Sequence, residues 1–412
     1  MTKPPFTLRS LVAALAATGL LVLTGCSGSS GHWQGSGGGG APQAPVATGK
    51  ITVTPAMNSK NVAPADPIVV TATEGAKVTA VAVTAGSATI SGTLSADGTT
   101  WTSTTALKFN TKYTVKVTGA DSLGAAKTST STFTTVKPAK TLSPSLWTNA
   151  LIESVSSTAT YGVGQPIIVH FNHSVPKADR AAIVAALHVE STPTVDGRWH
   201  WVSSTDVHYR GPDYWAPQSV ITVTGNLYGV KLDDNTYGGK NISATLHIGD
   251  SHVAIADNKA HQMKVYINDK LVRTIPVSMG NGHTIDGGNG NMIDMSTRNG
   301  PHVVINKEPF HMMSSASYGL VDKNSPYYYA PEKVFDAVRI SYTGEFVHLR
   351  TWTVGDIGVR NTSHGCINVG DGNAQYMYNL LVPGDIVTVV NSDPELEITD
   401  GLGDWTLPWS KW

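Results

Sequence analysis

The sequence predicts a mainly β protein of several domains, and three observations carry that reading. From Ile51 to about residue 250 the chain runs in short alternating stretches rich in Val, Thr and Ala, broken by turn residues such as Ala96-Asp97-Gly98 and Gly119-Ala120-Asp121; β-branched residues at period two mark half-buried strands. Beyond Ser251 alternation resumes in His252 to Ala256 and His261 to Asp269, with one credible helix, Asn373 to Leu381. A length of 412 residues allows two to four domains, each able to close its own core.

The elements follow in chain order. Residues 1–26 carry Lys3 and Arg9, the apolar run Leu11 to Leu23, then Leu23-Thr24-Gly25-Cys26. A charged start, a short apolar core and small residues before a break make an export signal, too short and wrongly flanked for a membrane span. The ending resembles a bacterial lipobox, which implies lipidation of Cys26 and a membrane anchor on the outer leaflet through buried acyl chains; ordinary cleavage beside an incidental cysteine is the alternative. Residues 27–50, with Gly37 to Gly40, read as a flexible tether.

Residues 51–147 and 148–250 read as two tandem immunoglobulin-like β-sandwiches. Pro67-Ile68-Val69-Val70 is echoed by Pro166-Ile167-Ile168-Val169, Asp97-Gly98 before Trp101 by Asp196-Gly197 before Trp199, and Tyr113 to Gly119 by Ile221 to Gly225, an offset of roughly 100 residues, one sandwich. The repeat is gapped, and a single larger β domain is the alternative. Lys177 to Leu187 has helical composition and follows a proline. The aromatics Trp199, Trp201, Tyr209, Tyr214 and Trp215 suit packing better than sugar stacking. Residues 251–395 form the next domain, with Asn268-Asp269 as a hairpin-like turn, and the helix Asn373 to Leu381 stopped by Pro383-Gly384 before the strand Asp385 to Val390. Residues 396–412 carry Trp405, Trp409 and Trp412, an apolar load expected to dock on the domain surface.

The chemistry concentrates at His348-Leu349-Arg350 and Asn361-Thr362-Ser363-His364-Gly365-Cys366-Ile367-Asn368. The thiolate is the nucleophilic form, so a catalytic cysteine needs a base or a positive field, and His348 and His364 are the candidates to supply it. With Cys26 lipidated, Cys366 has no partner for a disulfide, and a lone thiol in an oxidising compartment needs a role. No CxxC or HxxxH spacing completes a metal site, and redox catalysis lacks a resolving thiol. Acyl transfer needs one thiolate, one base and an oxyanion hole, all within this stretch. Charges are sparse and balanced, 29 basic against 30 acidic side chains, so electrostatics give no argument for nucleic acid as a partner.

The histidine, spacer and Ser-His-Gly-Cys with Asn two residues on resemble the signature of the L,D-transpeptidases (YkuD type). The resemblance covers roughly residues 251–412, including Val277 to Gly280, the aromatic stretch Tyr318 to Tyr329 and Asp400 to Trp405, and is nearest to mycobacterial and other actinobacterial lipoprotein members with two immunoglobulin-like domains. It implies Cys366 as nucleophile, and His348 as base oriented by the main-chain carbonyl of Leu349, where relatives carry serine. It implies Ser363 and His364 as shapers of the turn, and Gly365 and Cys366 N–H groups as the oxyanion hole. Asn368, Met313, Tyr318, Tyr329 and Trp352 are the substrate-binding candidates, the tyrosines on a lid over the site; a purely structural role is the alternative for His364, Asn368 and each lid residue. The implied reaction joins two peptidoglycan tetrapeptide stems, donor and acceptor, in a 3→3 cross-link with release of D-Ala, without cofactor or metal. Water or another protein's amine would make the same site a carboxypeptidase or an anchoring enzyme, and carbapenems are the implied inhibitors. A wall-binding lipoprotein without activity is the alternative from another class, against which the intact motif speaks.

Overall fold

The computed structural model describes residues 48–412 except 152, 288, 289 and 353. The expected signal segment with Cys26, and the expected tether up to residue 47, lie outside the described residues. Lys50, assigned to the tether, already opens the first strand.

In the first sandwich a sheet ordered Lys50–Thr54, Val69–Thr73, Thr100–Ser103, Gly92–Leu94 faces another ordered Ala88–Ile90, Lys77–Ala85, Lys112–Ala120, Ala126–Thr134. The alternation seen in the sequence is the reason: Lys112–Ala120 turns Tyr113, Val115 and Val117 into the core and Lys116 to solvent. The second sandwich repeats the plan, with Glu153–Ser154, Pro144–Asn149, Ile167–Phe171, Asp206–Arg210, Arg198–Trp201 against Thr160–Tyr161, Ile242–Ile248, Val220–Gly225, Leu187–Thr192. Pro144–Asn149 pairs with Ile167–Phe171, so the expected boundary at 147/148 falls inside a strand of the second sandwich. Two of the three sequence echoes lie on equivalent strands. The third slips outward by one: Trp101 lies on the strand bonded to Val69–Thr73, whereas Trp199 lies beyond Asp206–Arg210. An Asp-Gly turn before a tryptophan is a local pattern and carries no information on pairing. The expected helix runs from Lys177 through Ala185, its first turn 3-10, and Leu187 already begins a strand.

The C-terminal domain is a nine-stranded sheet ordered Gly300–Val303, Ile386–Val390, His252–Asp257, Gln262–Ile267, Lys270–Ser278, Ile367–Val369, Phe346–Leu349, Glu332–Arg339, Asn306–Met313. Asn268 and Asp269 both adopt positive φ, the geometry a two-residue hairpin loop requires. The helix Asn373–Leu380 buries Ala374 and Met377 against the sheet, with Leu381 behind them.

The second sandwich is fused to this domain. Gly162 and Gly164 donate main-chain hydrogen bonds to Pro383 and Gly384 at 2.8 Å each, and a Cβ on Gly162 would stand 2.1 Å from Asp385 N, so only glycine permits the approach. Ile168, Trp147 and Tyr214 meet Val303, Ile386 and Leu402 in one apolar cluster. The tail, expected on the domain surface, reaches across to the second sandwich. Trp405 Nε1 donates to Gly164 O and Trp412 Nε1 to Arg198 O, at 2.8 and 2.9 Å. The buried Arg210 guanidinium lies 4.7 and 4.3 Å from the rings of Trp405 and Trp412, and the fully buried Asp404 meets His208 Nδ1 at 2.7 Å. The junction between the two sandwiches is thinner, with Phe109 edge-on to Tyr228 at 5.2 Å and Ala139 N bonded to Asn235 O.

Candidate active site

Phe346–Leu349 and Ile367–Val369 run parallel, with His348 opposite Asn368. Successive side chains alternate between faces, so Cys366 and Asn368 project on the side that carries His348. The turn entering this strand is locked by its own residues. Ser363 Oγ donates to Cys366 O at 2.6 Å, and Gly365, at φ +130°, donates its N–H to Ser363 Oγ at 3.2 Å. From a distant loop Thr297 Oγ1 donates to Gly365 O at 2.7 Å. Gly365 N–H, expected in the oxyanion hole, is therefore committed within the turn, and the Cys366 N–H is the donor of the two left for that role.

His348 is 3% exposed, and its Nδ1 stands 2.9 Å from Leu349 O. A carbonyl only accepts, so Nδ1 carries the proton and Nε2 offers its lone pair. The Leu349 side chain packs against the domain core, and only its carbonyl takes part. Burial pushes the His348 pKa down to about 4 and the half-buried Cys366 thiol up to about 12, the latter opposed by the Phe346 N–H. Burial also lowers the pKa of His364. Of the two ways in which the histidines could assist the thiol, these directions favour a base over a positive field, since a neutral imidazole carries no charge.

His364 sits among three tyrosine rings, Tyr329 at 5.2 Å, Tyr318 at 5.9 Å and Tyr327 at 6.4 Å. Burial raises the Tyr318 hydroxyl to about 12 and that of Tyr329 further, so both remain protonated donors. The lid stands docked, with Leu320 packed on Ile293 and Met295 and Ser315 Oγ bonded to Tyr329 O. Two cavities meet at Cys366. One, of about 190 Å³, is lined by His348, Trp352, Asn368 and Glu332. The other, of about 340 Å³, is lined by Tyr318, Gly344, Arg298 and Arg339. Met313, Tyr329 and His364 border both.

The other ten sequence candidates among the described residues thus lie around the Cys366 thiol, Leu349 and Gly365 through main-chain atoms. Sequence reasoning assigned nothing to Tyr327, Thr297, Arg339 or Arg350. Arg350 follows Leu349 directly and bridges Trp352 O at 2.8 Å and Thr362 Oγ1 at 2.6 Å; its place beside the motif was the one available signal. The loop Ser341 to Glu345 is also held from outside the domain: Tyr342 Oη accepts from Ala150 N of the second sandwich at 2.7 Å, Thr343 binds Asp400 of the tail, and Gly344 O lies 3.6 Å from Cys366 Sγ. A thiol, an imidazole with its tautomer fixed and neutral donors border the same cavities, the kinds of group that acyl transfer requires.

The L,D-transpeptidase catalytic domain profile matches residues 251–389, and that of a bacterial immunoglobulin domain matches residues 59–231, across both sandwiches. L,D-transpeptidase 2 of Mycobacterium tuberculosis is 35% identical over 90% of this chain and 86% of its own length. L,D-transpeptidase 5 of the same species is 30% identical over 90% and 78%. An LD transpeptidase solved in complex with imipenem aligns at 26% identity and a TM-score of 0.48, covering 60% of this chain and 99% of that one. With this identity along nearly its whole length, the chain belongs to the L,D-transpeptidase family of cysteine-dependent acyltransferases.

Proposed function

We propose that this enzyme forms 3→3 cross-links in peptidoglycan through a Cys366 acyl-enzyme. The observation that carries the reading is the position of Cys366 where two cavities meet, an arrangement that suits a donor and an acceptor stem. Cys366 Sγ attacks the carbonyl carbon between the diamino acid at position three and D-Ala at position four, and its proton passes to His348 Nε2 as the C–S bond forms. The Leu349 carbonyl steadies the imidazolium through Nδ1–H. The Cys366 N–H supplies a neutral donor for the oxyanion. Collapse expels D-Ala, which takes the proton from His348, and leaves a thioester. The third-residue amine of a second stem attacks the thioester, gives a proton to His348, and the thiol is restored with the proton returned. Carbapenems, one of which occupies the homologous imipenem complex, acylate the same sulfur.

The Leu23 to Cys26 sequence supports a lipid anchor on Cys26 that holds the enzyme at the outer face of the plasma membrane, reaching into the wall; among the described residues no helix is long and apolar enough to cross a membrane. The test is intact-protein mass spectrometry with a carbapenem and, separately, a disaccharide tetrapeptide. Wild type should gain the drug adduct, release D-Ala and form a cross-linked dimer, and Cys366→Ala none of these. An adduct with D-Ala released but no dimer assigns hydrolysis or another acceptor; neither adduct nor D-Ala refutes the enzyme.

A further inference from the structure

The smaller cavity beside Cys366 has one acid among its lining residues, Glu332. Strand alternation puts it there. Glu332 opens the strand Glu332–Arg339 opposite Met313, and Val334, two residues on and so on the same face, packs with Met313 and Cys366. Among the described residues the Glu332 carboxylate has no hydrogen-bond donor and no cation within ion-pair distance. The neighbouring cation, Arg350, is answered elsewhere: it lies 3.5 Å from Asp356 and donates to Thr362 Oγ1 at 2.6 Å. Burial lowers the pKa of both His348 and His364, so neither ring brings Glu332 a charge. A half-buried carboxylate in this state is costly, and what would answer it is a cation from outside the chain.

His348 lines this cavity and not the larger one. In acyl transfer through a thioester the leaving amine takes its proton from the base and the incoming amine gives one back, so both nitrogens stand on the side of the sulfur that the base faces. The incoming amine therefore enters the cavity that Glu332 lines. An alkylamine is an ammonium at neutral pH, and it meets a carboxylate through charge-assisted hydrogen bonds.

We propose that Glu332 binds the side-chain ammonium of the acceptor stem's third residue and so favours that amine over water as the acceptor. The inference rests on the cross-linking reading of the site. The bound ammonium gives one proton to solvent, the free amine attacks the thioester carbon, and a further proton passes through His348 to the sulfur as the C–S bond breaks. Water carries no charge and gains nothing from Glu332, so loss of the carboxylate shifts the acyl-enzyme toward hydrolysis.

The experiment gives the full chain a disaccharide tetrapeptide as donor and, below saturation, a tripeptide stem ending in the diamino acid as acceptor. Mass spectrometry reads cross-linked and hydrolysed product for each D-Ala released. Glu332→Gln should lower the ratio of cross-linked to hydrolysed product about tenfold, the effect of one charged hydrogen bond, and Glu332→Asp should restore part of it; circular dichroism checks that each variant is folded. A ratio unchanged by Glu332→Gln overturns the proposal, whatever happens to the overall rate, since a structural role would slow both fates of the acyl-enzyme alike. Wild type that releases D-Ala and yields only hydrolysed donor refutes the cross-linking reading and this inference with it; cross-linking by wild type with the ratio unchanged in Glu332→Gln refutes this inference alone.

Discussion

His348 and His208 are both buried, and they differ in what answers the ring. His348 faces a main-chain carbonyl, which fixes its tautomer and adds no charge. His208 faces the carboxylate of Asp404, which is fully buried. His302, between Gly300 O at 3.1 Å and Glu345, follows the second plan. The contrast shows how one side chain becomes a base or a strut. A carbonyl leaves the imidazole neutral with Nε2 ready to take a proton, whereas a carboxylate ties the ring into a polar link between elements.

The largest expected effect tests the first half of this contrast. His348→Gln should lower D-Ala release by about 10²- to 10⁴-fold, the usual contribution of a positioned general base, with the fold kept; a loss below tenfold would remove His348 from the role of base. The strut is tested by Asp404→Ala, which leaves His208 without its hydrogen-bond partner at the junction and should destabilise the protein by about 1–3 kcal/mol in denaturant titration. A change under about 1 kcal/mol would mean that the second sandwich and the catalytic domain are not coupled there.

The pH dependence of stability sharpens the comparison further. The folded-state pKa of His348, lowered to about 4 from an unfolded value near 6.5, means that the unfolded chain binds more protons between these values. Stability from this group is full above about 6.5 and is lost as pH falls through about 4, on the order of 3 kcal/mol in all. His348→Gln should flatten the slope in that window. Glu345→Gln, which keeps an oxygen for Arg298 N but removes the charge facing His302, should cost about 1–2 kcal/mol, and the same titration would show it.

The catalytic cluster was legible because it is local: His348, Ser363, His364, Cys366 and Asn368 lie on two adjacent strands and the turn between them, so spacing alone brings them together. The lid aromatics were legible as a long Gly- and Tyr-rich stretch. What spacing does not encode is the direction in which burial moves an ionisable group, here upward for the Cys366 thiol and downward for His348. Nor does it encode which main-chain donors are already committed, as Gly365 N–H is to Ser363. Arg339, Thr297 and Glu345 reach the site through sheet pairing and loop packing that a single sequence does not display. The sandwiches show the same limit: strand alternation was visible, the pairing order that separates Trp199 from Trp101 was not.

The loop from Ser341 to Glu345 gives shortened versions of this enzyme opposite meanings. Cutting the chain after the first sandwich takes away a segment joined through Phe109 and a few main-chain bonds, and the scaffold of the nucleophile is untouched. Cutting after residue 250 removes Ala150, the donor to Tyr342, and with it one of the fixings that set Gly344 against Cys366. An isolated catalytic domain is therefore an incomplete enzyme, and its kinetics would report a slackened site.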